Sequence, residues 1–90
     1  MDKIIISVVG KDTVGIIAKV CTYLAGSNIN ILDISQTIVQ GYFNMMMIAD
    51  DAGATKPLDV YSTELNQLGE EIGVQIKCQR EEIFDKMHRI

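Results

Sequence analysis

The sequence predicts an α+β sandwich in which two helices cover one face of an antiparallel sheet. Runs of β-branched or alternating apolar residues indicate strands, and two segments with apolar residues three and four positions apart indicate helices. These elements follow in the order β-α-β-β-α-β, which is the split βαβ or ferredoxin-like arrangement. One face of such a sheet carries no helix.

The first strand and the first helix occupy the first third of the chain. Two sets of side chains alternate along residues 3–9, namely Ile4, Ile6 and Val8 on one face and Ile5, Ser7 and Val9 on the other. Because both faces include apolar residues, we expect a central strand. The first helix has apolar residues at helical spacing, Ile17, Val20, Cys21 and Leu24. It is predicted to end at Gly26-Ser27-Asn28.

The turn between these two elements is a candidate binding site. It has the sequence Gly10-Lys11-Asp12-Thr13-Val14-Gly15-Ile16. The first N–H groups of a helix lack intrahelical partners and carry the positive end of its dipole, so a carboxylate or phosphate can dock there. Gly10 and Gly15 would let a small molecule reach those amides, and Asp12 or Thr13 is predicted to cap the helix. The alternative is that both glycines only shape the turn.

The rest of the chain supplies a hairpin, a helix and a last strand. Residues 29–40 and 42–49 are predicted to pair around Gln40-Gly41. After a loop at residues 50–54, Thr55-Lys56-Pro57 is predicted to start the second helix with a cap and an early proline. Its apolar stripe is Leu58, Tyr61, Leu65, Leu68 and Ile72, and Gly73 ends it. The last strand is half-buried, with Val74, Ile76 and Cys78 alternating with Gln75, Lys77 and Gln79.

Residues 1–80 are predicted to form one domain, followed by a short amphipathic tail over residues 81–90. The apolar positions of the tail are Ile83, Phe84, Met87 and Ile90. It is too short for a stable helix in isolation. We therefore expect it to pack on the open face of the sheet or on a partner.

Composition narrows the class of protein. With 48% hydrophobic and 22% charged residues, the chain is expected to fold, and no run reaches the length of a transmembrane helix. The net charge is −4 and no basic cluster occurs, which argues against binding to nucleic acid or to anionic membrane. The N-terminus runs directly into a strand pattern without signal-peptide features, so a cytoplasmic location is expected.

No pattern in the chain indicates catalysis, a metal site or a cofactor. The first turn fits neither the dinucleotide fingerprint nor the P-loop, since Gly15 is followed by two isoleucines. Cys21 and Cys78 stand far apart with His88 as the only histidine, which supports neither a zinc site nor a catalytic pair. Met45-Met46-Met47 lies on a strand, where consecutive side chains point to opposite faces and cannot converge on one ion. The protein is therefore not expected to be an enzyme.

Two phrases and the order of elements resemble the ACT domain, and the small stand-alone ACT proteins most closely. The phrases are Val9-Gly10-Lys11-Asp12-x-x-Gly15-Ile16-Ile17-Ala18 and Asn28-Ile29-Asn30-Ile31-x-Asp33-Ile34. The resemblance covers residues 3–80 and implies a module that binds small molecules, most often amino acids. It also implies side-by-side pairing of two copies with the ligand at their interface.

Carried onto this chain, the resemblance implies a site between the first turn of one copy and the start of the second strand of the other. Its ligand-binding residues would be Asp12, Thr13, Val14, Gly15, Ile16, Asn28, Asn30 and Ile31. The amide of Asn30 would orient the amino or carboxyl group of the ligand. An amide at the head of an apolar strand costs stability unless its hydrogen bonds are made, so either a neighbouring loop or a ligand must satisfy it.

These inferences lead to one main hypothesis and two alternatives. The main hypothesis is a homodimeric ACT protein that senses a small metabolite, most often an amino acid in this family, and acts on a separate partner enzyme or regulator. The first alternative is a protein-docking module whose ligand turn is vacant. The second is a phosphate-ester or acyl-phosphate hydrolase, which would need an arginine in the anion-binding turn, where this chain has Lys11.

Overall fold

The computed structural model describes residues 3–11 and 15–81, and they confirm the predicted ferredoxin-like fold. The elements are β1 (Lys3–Lys11), α1 (Ile16–Gly26), β2 (Asn30–Val39), β3 (Tyr42–Asp50), α2 (Leu58–Ile72) and β4 (Val74–Arg80). The tail beyond Glu81 lies outside the described residues, so its predicted packing stays a prediction. None of the helices within the described ranges is long and apolar enough to cross a membrane.

The four strands form one sheet in the order β2-β3-β1-β4, with all neighbours antiparallel. β1 is thus central, as its two apolar faces predicted. The register defines two ends of the sheet. At one end Gly10 lies opposite Phe43, and Ile38 lies opposite the same Phe43. At the other end Lys3 and Asn30 both lie opposite Asp50. We call these the Gly10 end and the Asn30 end.

The core lies between the sheet and the two helices. Strand side chains with little solvent exposure meet the buried stripes of α1 and α2 there. The stripe of α1 is Ile16, Val20 and Leu24, with Ile17 and Cys21 partly buried beside it. The predicted stripe of α2 is confirmed, with Tyr61 and Leu65 buried and Leu58, Leu68 and Ile72 packed against the core.

A polar contact joins the two helices across their outer surface. The Tyr23 hydroxyl donates to Glu64 Oε1 at 2.5 Å, and Lys56 Nζ lies 2.6 Å from the same oxygen. Lys56 Nζ is also 5.7 Å from the centre of the Tyr23 ring. Burial, followed by the hydrogen bond to Glu64, raises the pKa of Tyr23 to about 12. The bonds from Lys56 and Tyr23 lower the pKa of Glu64.

The helix starts differ from the predicted caps. The N-cap of α1 is Gly15, with φ of 89° and no side-chain cap, whereas the predicted caps Asp12 and Thr13 lie outside the described residues. The N-cap of α2 is Pro57, which lies just before the first turn instead of inside it. Thr55 does not cap α2, which has no side-chain cap bond. The Thr55 hydroxyl instead donates to Ser27 O at 3.5 Å, beside the bond from Thr55 N to the same oxygen at 3.1 Å.

The predicted hairpin turn and helix ends are confirmed. Gln40 and Gly41 have φ values of 51° and 83°, the pair of positive values that a type I′ hairpin turn requires. α1 closes with Asn28 at φ of 58°, and α2 closes with Gly73 at φ of 80°. A glutamine in the left-handed region is unusual. The tight hairpin therefore imposes this conformation on Gln40.

Candidate functional site

The two glycines of the first turn have different roles. A side chain at Gly10 would lie 2.7 Å from Val74 Cγ1 and 2.9 Å from Val74 Cα, so Gly10 permits close packing of β1 on β4. Whether Gly10 also opens the turn to a ligand stays a prediction, because Asp12, Thr13 and Val14 lie outside the described residues. Gly15 has φ of 89° and nothing within 4 Å of where a Cβ would be. Gly15 therefore fits its predicted role. Its backbone has the positive φ that glycine tolerates, and no neighbouring atom fills the space where a side chain would be.

The remaining candidates of the turn are only partly described. Asp12, Thr13 and Val14 lie outside the described residues. Ile16 is buried in the core beneath the start of α1, so it supports the turn from inside and its side chain does not face solvent. On this half of the candidate site, Gly15 is the described residue that is open to a ligand.

The other half of the candidate site lies at the head of β2. Asn28 Nδ2 donates to Gly53 O at 2.8 Å, so this amide is bonded within the chain. The Asn30 side chain is exposed and Ile31 is half-buried. β2 is an edge strand of the sheet, and the Asn30 amide at its head is open to solvent and to a ligand in the single chain.

The structure does not bring these two halves together within one chain. The first turn follows the Gly10 end of the sheet, whereas Asn28 and Asn30 lie at the Asn30 end. A strand rises about 3.4 Å per residue, so the two ends, seven residues apart on β1, lie roughly 24 Å from each other. One amino acid cannot span that distance. A single chain thus holds half of each of two candidate sites.

The corner at the head of β2 is locked to the loop after β3. Thr55 N and Thr55 Oγ1 both donate to Ser27 O, at 3.1 and 3.5 Å. A Cβ at Gly53 would lie 2.8 Å from Asn28 Nδ2, so the two segments touch. This lock fixes the backbone from which Asn30 projects. The sequence analysis missed it, because segments 25 residues apart show no shared pattern.

A buried polar cluster anchors the same loop to the rest of the fold. Asp51 Oδ2 accepts from the Tyr61 hydroxyl at 2.6 Å, and Asp51 Oδ1 accepts from Arg80 Nη1 at 2.8 Å. The Asp51 side chain is only 6% exposed. The cluster therefore ties β3 to α2 and β4. One signal was available in the sequence, since a tyrosine in a core stripe needs a partner for its hydroxyl.

Burial controls the acidity of this cluster. It raises the pKa of Tyr61, and the hydrogen bond to Asp51 raises it further. Burial, followed by the charge of Asp51, raises the pKa of the neighbouring Cys78 thiol from 9.0 to about 12. Cys78 is thus held as a neutral thiol. The thiolate is the reactive form of cysteine, so Cys78 is expected to be inert.

Alkylation tests this expectation for Cys78. With a pKa of about 12, roughly one thiol in ten thousand is ionised at pH 8. We expect iodoacetamide to label Cys78 at least about tenfold more slowly in the folded protein than in urea, as measured by peptide mass spectrometry. The folded rate should rise as the pH approaches 12. Equal rates in the folded and unfolded states at pH 8 would contradict the assigned pKa.

Across residues 3–11 and 15–81, no three histidine, cysteine, aspartate or glutamate side chains are grouped so that they could hold a metal ion. Asp51 is already engaged by Tyr61 and Arg80. The head of β2 presents the exposed amide of Asn30, next to the segment that Thr55 and Ser27 hold together.

Comparison with known proteins agrees with this architecture. Residues 2–79 match the ACT domain family. A UPF0237 protein of Bifidobacterium longum is 66% identical over 90 residues, which cover 100% of each chain. The structure of an ACT domain protein from Streptococcus pneumoniae matches with a TM-score of 0.80 and 37% identity, over 92% of this chain and 93% of that one. The regulatory subunit of aspartate kinase from Thermus thermophilus shares the fold, with a TM-score of 0.69 and 23% identity over 90% of this chain and 52% of that one. The chain thus belongs to the ACT domain family.

Proposed function

We propose that this protein is a homodimeric sensor that binds a small metabolite, an amino acid in our assignment, at two symmetry-related sites between its copies. ACT domains commonly bind small molecules of this kind and serve regulation. The protein would have no catalytic activity of its own and would act in the cytoplasm on a separate enzyme or regulator. The observation that carries the proposal is the separation of the two half-sites within one chain.

Antiparallel pairing of two β2 strands would reunite those halves. β2 runs from the Asn30 end to the Gly10 end of its own sheet. In a two-fold pair the head of one β2 lies beside the tail of the other, so Asn30 of one copy approaches the Gly10 end of the second. That end precedes the turn that contains Gly15. Each dimer would then hold two complete sites.

The side chains of β2 support this edge as the interface. Ile34 and Ile38 lie on the helix-facing side of the sheet, opposite Met47 and Phe43, yet they are 40% and 56% exposed. Leu32 and Val39 are 47% and 62% exposed. An apolar, unpaired edge of this kind is a template for a second strand. The other edge, β4, exposes Gln75 and Lys77 and is protected by their polarity.

The chemistry of the half-sites fits an amino acid. The exposed amide of Asn30 offers both donors and acceptors, which suit a carboxylate and an ammonium group. Gly15 precedes the first turn of α1, whose free N–H groups favour a carboxylate. The regulatory role is in keeping with the Thermus thermophilus neighbour, a regulatory subunit of aspartate kinase.

A thermal-shift panel tests this function. The unfolding midpoint is measured with each common amino acid at millimolar concentration and fixed protein concentration. A ligand at a hundredfold excess over its Kd adds about 2.7 kcal/mol, which raises the midpoint by several degrees in a domain of this size. We expect a selective rise that Asn30→Ala abolishes. The matched control is Asn44→Ala, another exposed strand asparagine, which lies on β3 opposite Val9 and Thr37.

Other outcomes would redirect the proposal. A flat panel would favour the alternative of a protein-docking module, which the exposed Val9, Tyr42 and Met46 on the open face also support. Equal loss in both asparagine variants would show that the head of β2 is not the site. A monomer in sedimentation velocity at micromolar concentration would remove the interface on which the site depends.

A further inference from the structure

We propose that Met46 is a site of reversible oxidation, at which a peroxide converts the thioether into a sulfoxide while the neighbouring Met45 and Met47 stay protected. The side chain of Met46 lies on the open face of the sheet, opposite the face that α1 and α2 cover. The inference does not depend on the proposed ligand site, because none of these methionines belongs to that site.

The geometry of β3 sorts three consecutive methionines by their exposure. Successive side chains of a strand point to opposite faces of the sheet. Met45 and Met47 point toward the helices and are 0% exposed in the core, whereas Met46 points to the open face and is 41% exposed. The same chemical group is thus present three times in a row, and the three copies differ in their access to solvent.

Access to solvent decides which of these sulfur atoms a peroxide reaches. A thioether has no proton to lose, so ionisation does not control its reactivity as it controls that of a thiol. Outside β3, Cys21 and Cys78 are intermediate in exposure, and burial raises the pKa of the Cys78 thiol, which stays neutral. Met46 is therefore the most accessible sulfur-containing side chain of residues 3–11 and 15–81.

The reaction balances with hydrogen peroxide as the oxidant. A lone pair of the Met46 sulfur attacks one peroxide oxygen, the O–O bond breaks and an S–O bond forms, and the other oxygen leaves as water after a proton transfer. The sulfur loses an electron pair, and the peroxide is reduced. Methionine sulfoxide reductases reverse the change. In that step a dithiol is oxidised to a disulfide and the sulfoxide oxygen leaves as water.

The surroundings of Met46 allow the sulfoxide to form without loss of the fold. Ser7 and Ser35 lie directly opposite Met46 on the two neighbouring strands, and directly opposed side chains share a face of the sheet. A serine hydroxyl can donate a hydrogen bond, and the sulfoxide oxygen can accept one. The same oxygen at Met45 or Met47 would enter a packed apolar core, where a polar group without a partner is costly.

Oxidation would change the character of the open face. Along this face Met46 lies between the half-buried Ile48 and two exposed side chains, Val9 and Tyr42. A sulfoxide replaces a flexible apolar side chain in this patch with a polar one. The open face would therefore lose affinity for an apolar surface when Met46 is oxidised, and would regain it on reduction.

Peroxide treatment of the folded protein, followed by peptide mass spectrometry, tests the site. Trypsin releases Met1 and Met87 on other peptides than the methionines of β3, and fragmentation locates the added oxygen within the β3 peptide. We expect Met46 to be oxidised at least about tenfold faster than Met45 or Met47, which react only when the fold opens. In urea the three rates should become equal. Equal rates in the folded protein would overturn the proposal.

Two leucine variants provide matched controls. Met46→Leu should abolish the fast phase of oxidation. Met47→Leu, a change of similar volume in the core, should retain it. A fast phase that survives in Met46→Leu would overturn the assignment to this residue.

Stability and retention measurements test whether the fold tolerates the sulfoxide and whether the open face changes. Protein oxidised at Met46 should keep the urea midpoint of the untreated protein and elute earlier from a hydrophobic-interaction column. Treatment with a dithiol and the two reductases, one for each sulfoxide epimer, should restore the original mass and elution. A lowered midpoint, an unchanged elution or a failure to restore the mass would each overturn Met46 as a reversible oxidation site.

Discussion

Replacing Gly69 with alanine is expected to lower the free energy of unfolding by about 2 kcal/mol, through the overpacking of a buried contact. The usual effect of this change in a helix is the opposite, a gain of up to about 1 kcal/mol. Gly69 is buried in α2, and a Cβ there would lie 2.7 Å from Val74 O and 3.1 Å from Ile76 Cγ1. A backbone oxygen cannot yield as a flexible side chain can. α2 would have to move away from β4.

The matched control is Gly26→Ala at the end of α1. No atom lies within 4 Å of a Cβ at that position, so the alanine meets open space. We expect unchanged or slightly raised stability from helix propensity alone. Urea titration at one protein concentration measures both variants. Stabilisation of both would show that α2 and β4 are not in the close contact that the structure describes.

Asp51→Ala is expected to cost about 3 kcal/mol of unfolding free energy. The change leaves the fully buried Tyr61 hydroxyl and the Arg80 guanidinium without the carboxylate that accepts from both. Hydrogen bonds that involve a charged group contribute about 1.5–3 kcal/mol each, and a buried group left unsatisfied adds its own penalty. Partial solvent exposure of Arg80 reduces the sum.

The adjacent carboxylate provides the control for this prediction. Asp50 Oδ1 accepts from Ala52 N at 2.9 Å in an exposed bond. Its removal by Asp50→Ala should cost about 1 kcal/mol or less, since water can replace an exposed partner. Urea titration of both variants measures the difference. Equal losses at the two positions would mean that the Asp51 cluster is not a major anchor of the loop.

The order of the helices and strands could be predicted from local patterns, because the spacing of apolar residues within a segment is enough to identify it as helix or strand. The stripe of Tyr61 and Leu65 recurs at helical spacing and is buried as that spacing requires. The alternation on β1 predicted a central strand for the same reason. The hairpin turn and the end of α2 were also predictable from local sequence, since Gly41 and Gly73 have the positive φ values for which glycine is suited. The helix starts were not predictable in this way, because Thr55 bonds Ser27 across the fold.

The resemblance proposed a set of candidate site residues, but it did not show where those residues lie relative to one another. The resemblance named Gly15 and Asn30 together, and only the register of the sheet shows that they lie at opposite ends of one chain. The same register assigns Gly10 to packing against Val74. Exposure of Asn30 likewise depends on which strand forms the edge. These facts depend on contacts between distant segments, and no local pattern encodes them.

The sequence by itself thus determined the ferredoxin-like fold, its hairpin turn and its membership of the ACT domain family, because periodicity, glycine placement and motif are properties of neighbouring residues. The tertiary structure alone decided which strand forms the exposed edge of the sheet, which residues bond to Asp51, and at which ends of the sheet the two half-sites lie. Strand order and long-range hydrogen bonds fix these features, and both arise only when segments far apart in the chain are brought into contact.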